Sequence, residues 1–374
     1  MIDTIVIILD KATYTIIDPD RFMPSAHWAL SELSRNRNLQ SKQNPTKKDL
    51  LRGIYKPRLT LINRTNQLFG QTPMLRIELS LPKLFFGNNF AELRAKDFTL
   101  LTKQLVNVLE KMGVITTVIA LAQAQVSIIH YSKNILLTDG STPYHYIQKI
   151  KEANIKLTLD TNQTDYRNEG HSYKWHCNSY EIVFYDKIKD LERARVSAKR
   201  ALEKDSAIQL NLFEPLQRRK KLEILRIEVR LNNRRKIKQL FKKLNIKADI
   251  TFKQLFKPGI AKKILLHYLD EIEQQRPLLL DYKASGSALL ADLIVNNPKL
   301  STKQVLQLYG LKQALDAINP RELRAMFGRH STRSWHRMMA DAKKVNLPRS
   351  HSPLRILREQ LMKFKPLKTS ELTT

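Results

Sequence analysis

The pentapeptide Leu-Arg-Ile-Glu-Leu at residues 75–79 returns as Leu-Arg-Ile-Glu-Val at residues 225–229. In each copy apolar residues alternate with Arg and Glu, the period-two pattern of a strand with one face in a core and the other carrying charge. Each copy is followed by basic, Asn-containing sequence and then by an amphipathic helical pattern. A chance match of five residues is the competing explanation, but the shared downstream order favours two related β-α units in one domain. Such units side by side predict an α+β fold, with an antiparallel or mixed sheet and helices on one face.

The surrounding segments fit this architecture. Thr4 to Leu9 is a largely β-branched run suited to a buried strand, and Ser34 to Lys48 reads as a mobile polar loop. Strand signals recur at Leu59 to Ile62, Val126 to Tyr131, Ile155 to Leu159, Ser179 to Phe184 and Leu222 to Leu231. Leu101, Leu105, Val108, Leu109 and Met112 keep helical spacing ahead of Gly113, a C-terminal cap, and a second helix runs from about Pro143 to Ala153. A charge-rich helix follows Asp186, to about Lys204, and a basic cluster spans Arg218, Arg219, Lys220 and Lys221.

Past Glu273 the pattern is helical throughout, which sets a boundary near Gln275 between a domain of residues 1–275 and a helical one of residues 276–374. The short C-terminal helices fit either a helix-turn-helix or a plain bundle. Ser331 to Lys344 reads as a basic, Ser/Thr-capped helix that would bring Arg333, Lys343 and Lys344 to DNA.

The chain carries 65 Lys and Arg against 35 Asp and Glu, a formal charge of +30. An excess of this size is offset by a polyanion or tolerated as self-repulsion, which makes nucleic acid the expected partner and a merely soluble basic protein the bland alternative. No apolar run approaches the roughly 20 residues of a bilayer span, so no membrane partner is expected. Met1, Ile2 and Asp3 open the sequence without a basic leader, which predicts a cytoplasmic location. A single cysteine, Cys177, excludes an internal disulfide and multi-cysteine zinc sites. There is no phosphate-binding Gly-x-x-x-x-Gly-Lys-Ser/Thr loop, no dinucleotide fingerprint, no His-Glu-x-x-His and no Gly-x-Ser-x-Gly.

Cutting a DNA strand with tyrosine needs an activated phenol aimed at the phosphate, a divalent metal that polarises a phosphate oxygen, and carboxylates or His to hold that metal. Tyr185 ends a strand and is followed by Asp186 and Lys187, where the chain lifts a side chain out of a sheet. Lys187 would activate the phenol or hold the phosphate; a tyrosine closing a strand also serves simply in packing. Glu78 and Glu228 occupy equivalent places in the two copies, beside Arg76 and Arg226, and two carboxylates on one sheet face suit Mg²⁺ or Mn²⁺. The alternative is that each Glu pairs with its own Arg. His130 is either a third ligand or a core histidine. Tyr180 falls on the opposite strand face from Tyr185 and is not expected to be catalytic. Tyr173 and Trp175 either stack on unpaired bases or form the packed face of a hairpin.

The stretch Ser179-Tyr180-Glu181-Ile182-Val183-Phe184-Tyr185-Asp186-Lys187, followed at a distance by Leu225-Arg226-Ile227-Glu228-Val229-Arg230, resembles the rolling-circle replication initiators of filamentous phages and related plasmids. Leu75 to Glu78 with Pro82, Lys83 and Gly87 extends the resemblance, which spans roughly residues 1 to 275. The His-hydrophobic-His doublet of many rolling-circle nucleases is missing. The resemblance implies a nicking and joining enzyme in which Tyr185, with Lys187 beside it, attacks the DNA near a metal held by Glu78 and Glu228. Single-stranded and origin duplex DNA would be its substrates, and host replication proteins its partners. Arg76, Arg226, Arg230 and the basic clusters would hold the DNA. A non-catalytic DNA-binding regulator is the rival reading, and a structural RNA-binding protein a second.

Overall fold

A computed structural model describes the chain except for residues 31–38, 47, 50, 51, 53, 67–69, 154–162, 168, 197–221, 319, 349, 351 and 368–374. The strands are β1 (Ile2–Asp10), β2 (Tyr14–Ile16), β3 (Gln40–Gln43), β4 (Arg58–Asn66), β5 (Gly70–Ser80), β6 (Val114–Thr116), β7 (Gln125–Leu136), β8 (Gln163–Arg167), β9 (Ser172–His176), β10 (Tyr180–Asp186) and β11 (Ile224–Leu231). Beside them run helices α1 (Leu81–Phe86), α2 (Phe98–Lys111), α3 (Val118–Gln123), α4 (Pro143–Glu152), α5 (Lys187–Val196), α6 (Arg234–Lys243), α7 (Phe252–Leu255) and α8 (Pro258–Gln275). The C-terminal part adds α9 (Gly286–Val295), α10 (Thr302–Ala317), α11 (Pro320–His330), α12 (Thr332–Ala342) and α13 (Arg355–Lys363).

Nine strands form one sheet in the order β3-β4-β5-β1-β7-β11-β10-β9-β8, while β2 and β6 pair separately. Every pairing among these strands is antiparallel. The β-branched N-terminal run becomes β1 at the centre, where Ile5, Val6, Ile7 and Leu9 are buried. The two Leu-Arg-Ile-Glu strands lie on either side of the β1–β7 pair, so the central order β5-β1-β7-β11 places the copies in equivalent positions. Each copy leads into a helix: β5 into α1, and β11 into α6, whose cap Asn233 accepts a hydrogen bond from the Lys236 backbone N–H.

Alternation along the copies decides which face is the core. Leu75, Ile77 and Leu79, with Leu225, Ile227 and Val229, pack in one cluster with Leu101, Leu105 and Leu109 of α2 and Ile264, Leu265 and Tyr268 of α8. Tyr173 and Trp175 are buried in the same cluster, with ring centroids 4.7 Å apart, so they form the packed face of a hairpin and are not open to bases. Thr142 caps α4 by accepting from the His145 backbone N–H at 3.2 Å. Thr142→Ala is expected to cost about 1 kcal/mol in urea unfolding, the usual worth of such a cap; no change would mean the cap is unimportant here.

The expected boundary near Gln275 coincides with the end of α8. Beyond it Leu279, Leu289, Leu308, Trp335 and Leu347 belong to a second core. The chain then returns: Leu354, Leu357 and Leu361 join the sheet's core, and Leu367 packs with Phe90 and Ile224. The last helix of the expected 276–374 unit is therefore packed with the first unit. Helices α11 and α12 meet at Ser331, and Leu323 and Trp335 bury their faces in this second core.

Several segments come out differently from their sequence pattern. Part of the expected polar loop, residues 40–43, is the edge strand β3, and the strand signal at Val126 continues to Leu136. Ile155 to Leu159, residues 197–204 of the expected charge-rich helix, and Arg218, Arg219, Lys220 and Lys221 lie outside the described residues. Among the described residues no helix is long and apolar enough to cross a membrane.

Candidate active site on the polar face of the sheet

The side chains of Arg226, Glu228 and Arg230 leave β11 on the face opposite the core. On a solvated sheet face they would be exposed, yet Arg226 and Glu228 are each only 2% accessible. Flanking strands and the segment around Phe90 enclose them. Arg226 donates from Nη1 to the Asn89 carbonyl at 2.9 Å and from Nη2 to Ser132 Oγ at 2.9 Å, and it pairs with the Asp3 carboxylate at 2.7 Å. Burial opposes the charge on Asp3, but the Arg226 guanidinium overrides it and holds the carboxyl well below its ordinary range.

Tyr185 stands directly across from Arg226 in the β10–β11 pair. Its hydroxyl donates to Glu228 Oε2 at 3.2 Å. Burial pushes the phenol well above its usual pKa, so the resting tyrosine is neutral. Glu228 is also approached by Arg230 Nε at 3.0 Å, Arg226 Nε at 3.7 Å and His130 Nδ1 at 3.6 Å. Burial alone would raise its pKa; Arg230, the largest opposing influence, keeps it below normal and ionised. His130 is held below its ordinary value by burial, against the pull of Glu228, and is neutral at pH 7.

Lys187 follows where β10 gives way to α5. Asp186 fixes that junction, its Oδ1 accepting from the backbone N–H groups of Ile188 and Lys189 at 3.0 Å each. The Lys187 side chain is fully buried, and its Nζ has no hydrogen-bond partner among the described residues. It lies 5.8 Å from the centroid of the Tyr185 ring and 5.7 Å from that of Phe90. Burial, with Arg226 next, lowers its pKa to about 7.

A lysine held this way works against folding. Unfolded chains bind the lysine proton up to about pH 10.5, whereas the native chain releases it at about 7. Between those values the unfolded state holds more protons and native stability rises with pH; below about 7 the full cost of burying the cation is present. Lys187→Met is expected to stabilise the protein by about 2 kcal/mol at neutral pH, the gain shrinking towards pH 10.5. Urea melts at three pH values measure this, and a destabilised variant with no pH trend would show that Lys187 is a satisfied structural residue.

The three expected metal ligands do not meet. Glu78 lies on β5 with β1 and β7 between it and Glu228, three strand spacings or on the order of 14 Å. It pairs with Arg76 at 3.0 Å, the alternative its sequence left open. Both Glu228 oxygens face arginines, and the nearby Asp3 is tied to Arg226. Among the described residues no group of three His, Cys, Asp or Glu is placed to hold an ion, so the expected trio does not fit one.

Of the expected DNA contacts, Arg230 bridges Glu181 and Glu228 at 3.0 Å each while remaining partly exposed. Arg226 is buried, Arg333 is exposed on α12, Lys343 donates to the Gln275 side chain at 2.7 Å, and Lys344 is 77% exposed. Sequence reasoning missed Asp3, Ser132 and Asn134, whose Oδ1 accepts from Arg226 Nη1 at 3.4 Å. Asp3 is an acid near the start of a mostly apolar strand, and Ser132 and Asn134 continue the alternation of β7, so both signals were there to find. The chain matches no family model, no curated protein and no solved structure. The roles of these residues rest on their geometry.

Proposed function

We propose that the protein nicks and rejoins a DNA strand at a replication origin through a covalent link to Tyr185. One observation carries the reading: a half-buried tyrosine whose hydroxyl donates to an ionised carboxylate, with buried Arg226 and a buried Lys187 that has no hydrogen-bond partner among the described residues beside it. The formal charge of +30 supplies the attraction for a polyanion.

In this reading the Tyr185 oxygen attacks phosphorus, the phenol proton passes to Glu228, and the DNA 3′-oxygen leaves with its bonding electrons and takes a proton from water. The product is a 5′-phosphotyrosine and a free 3′-hydroxyl for a polymerase, and the phosphodiester energy is kept for rejoining. Arg226 and Lys187 answer the charge that builds on the phosphate oxygens. An arriving phosphate favours the protonated form of Lys187, so binding itself completes the site. Burial that keeps the free phenol neutral guards it against reaction before substrate is bound.

The test is incubation of the full chain with supercoiled origin DNA and Mg²⁺ or Mn²⁺, followed by denaturing electrophoresis. Nicked circles carrying covalently attached protein are expected. Tight binding with neither nick nor adduct would instead favour a DNA-binding regulator, whose exposed basic helix α12 does the reading.

A further inference from the structure

We infer that the seam between the sheet unit and the helical bundle is a second nucleic-acid contact, a groove that takes a phosphodiester backbone. It shares its partner with the reading above but needs none of the tyrosine chemistry. A cavity of about 500 Å³ between the end of α8 and residues 343–358 adjoins one of about 380 Å³ beside α4. Asp281, Ser352 and Arg355 line both, so the two form one continuous groove.

The acids of this groove are already engaged. Asp281 accepts two hydrogen bonds from Arg276, at 2.7 and 2.8 Å, and the third Arg276 contact goes to the Lys149 carbonyl at 2.6 Å. Asp270 and Glu273 are bound by Arg358, and Glu273 also accepts from Ser352 Oγ at 2.6 Å. Asp139 accepts from Ser141 Oγ at 2.5 Å. The remaining cations are not neutralised in this way. Lys149 and Lys283 have no ion pair among the described residues, Lys343 meets only an amide oxygen, and Arg355 is 75% exposed with Glu359 at 3.8 Å.

Lys343 lines one part of the groove, Lys149 and Lys283 the other and Arg355 both, a distribution that suits a linear polyanion better than a single phosphate. An exposed His145 lines the groove. Its ring offers a face on which a base can stack. Together the cations and this ring favour nucleic acid as the occupant.

The test uses the full chain carrying Tyr185→Phe, so that the probe is not consumed whichever way the nicking assay reads. Binding of a fluorescein-labelled oligothymidylate is followed by anisotropy across a salt series. The triple variant Lys149→Ala, Lys283→Ala, Arg355→Ala is expected to bind at least about tenfold more weakly and to lower the salt slope by about 2, three contacts at roughly 0.7 each. A control triple, Lys103→Ala, Lys238→Ala, Lys242→Ala, removes the same charge from exposed helix surfaces outside the groove and is expected to change the slope by well under 1. Equal slopes in the groove variant and parent, or an equal loss in the control, would overturn the proposal. So would oligoglutamate displacing the probe as well as unlabelled oligothymidylate does. In the parent chain, iodouracil cross-links are expected at His145; cross-links confined to other surfaces would also overturn it.

Discussion

Tyr185→Phe is expected to lower formation of the covalent protein–DNA adduct by at least about 10⁴-fold, the scale on which loss of a nucleophile acts, while DNA affinity changes by less than about twofold. The substitution removes one oxygen, whose one hydrogen bond among the described residues is the donation to Glu228. Arg230 still holds that carboxylate at 3.0 Å, so the pocket stays charge-balanced and the fold intact. Stability should fall by only about 1 kcal/mol, the net worth of an ordinary hydrogen bond. Adduct and affinity measured on the same preparation therefore separate chemistry from folding. A variant that still forms the adduct would move the nucleophile to another residue and end the proposed role of Tyr185.

Arg226→Ala is expected to have the largest effect on stability, a loss of about 3–5 kcal/mol at pH 7, because removing one partner of a buried ion pair strands the other. Asp3 would lose its cation, Glu228 one of its two, and the Asn89 carbonyl and Ser132 hydroxyl their donor. The pH trend follows from the sign of the Asp3 shift. Its folded pKa is depressed, so the stabilisation it brings is present above the unfolded value of 3.8 and is lost as pH falls through the folded one. Without Arg226 that depression disappears, and protonation of the stranded carboxylate relieves the variant. The gap between parent and variant should then narrow in acid. Urea unfolding at pH 7 and pH 4 reads both effects; a cost under about 1 kcal/mol at pH 7 would mean water reaches these groups and the enclosure is weaker than the geometry implies.

The two Leu-Arg-Ile-Glu strands were legible because period-two alternation is a local property, and the core face of a strand can be read without knowing its neighbours. Helix limits were legible for the same reason: Gly113 ends α2 in a left-handed conformation at φ 81, and Thr142 and Ser331 carry the side-chain oxygens that cap α4 and α12. Strand order was not local. Glu78 and Glu228 look alike in sequence and do occupy equivalent positions, but β1 and β7 are inserted between their strands, so equivalence separates them where proximity was expected. Tyr185 and Glu228, 43 positions apart, are joined by the register of β10 on β11, which no residue of either strand announces alone.

Taken by itself, the amino-acid sequence determined the α+β class, the alternation of strand and helix, the change to a helical pattern after Glu273 and the net charge of +30. Each of these is set by composition or by the spacing of residues a few positions apart. Tertiary structure alone decided which charges lost their water. It buried Arg226 and Glu228 on what reads as a solvated face, brought in Asp3 from the other end of the domain, left Lys187 without a hydrogen-bond partner among the described residues and turned the Tyr173–Trp175 pair inward. Burial depends on what the rest of the chain lays over a residue, and in a low-dielectric pocket that covering sets the protonation of each group.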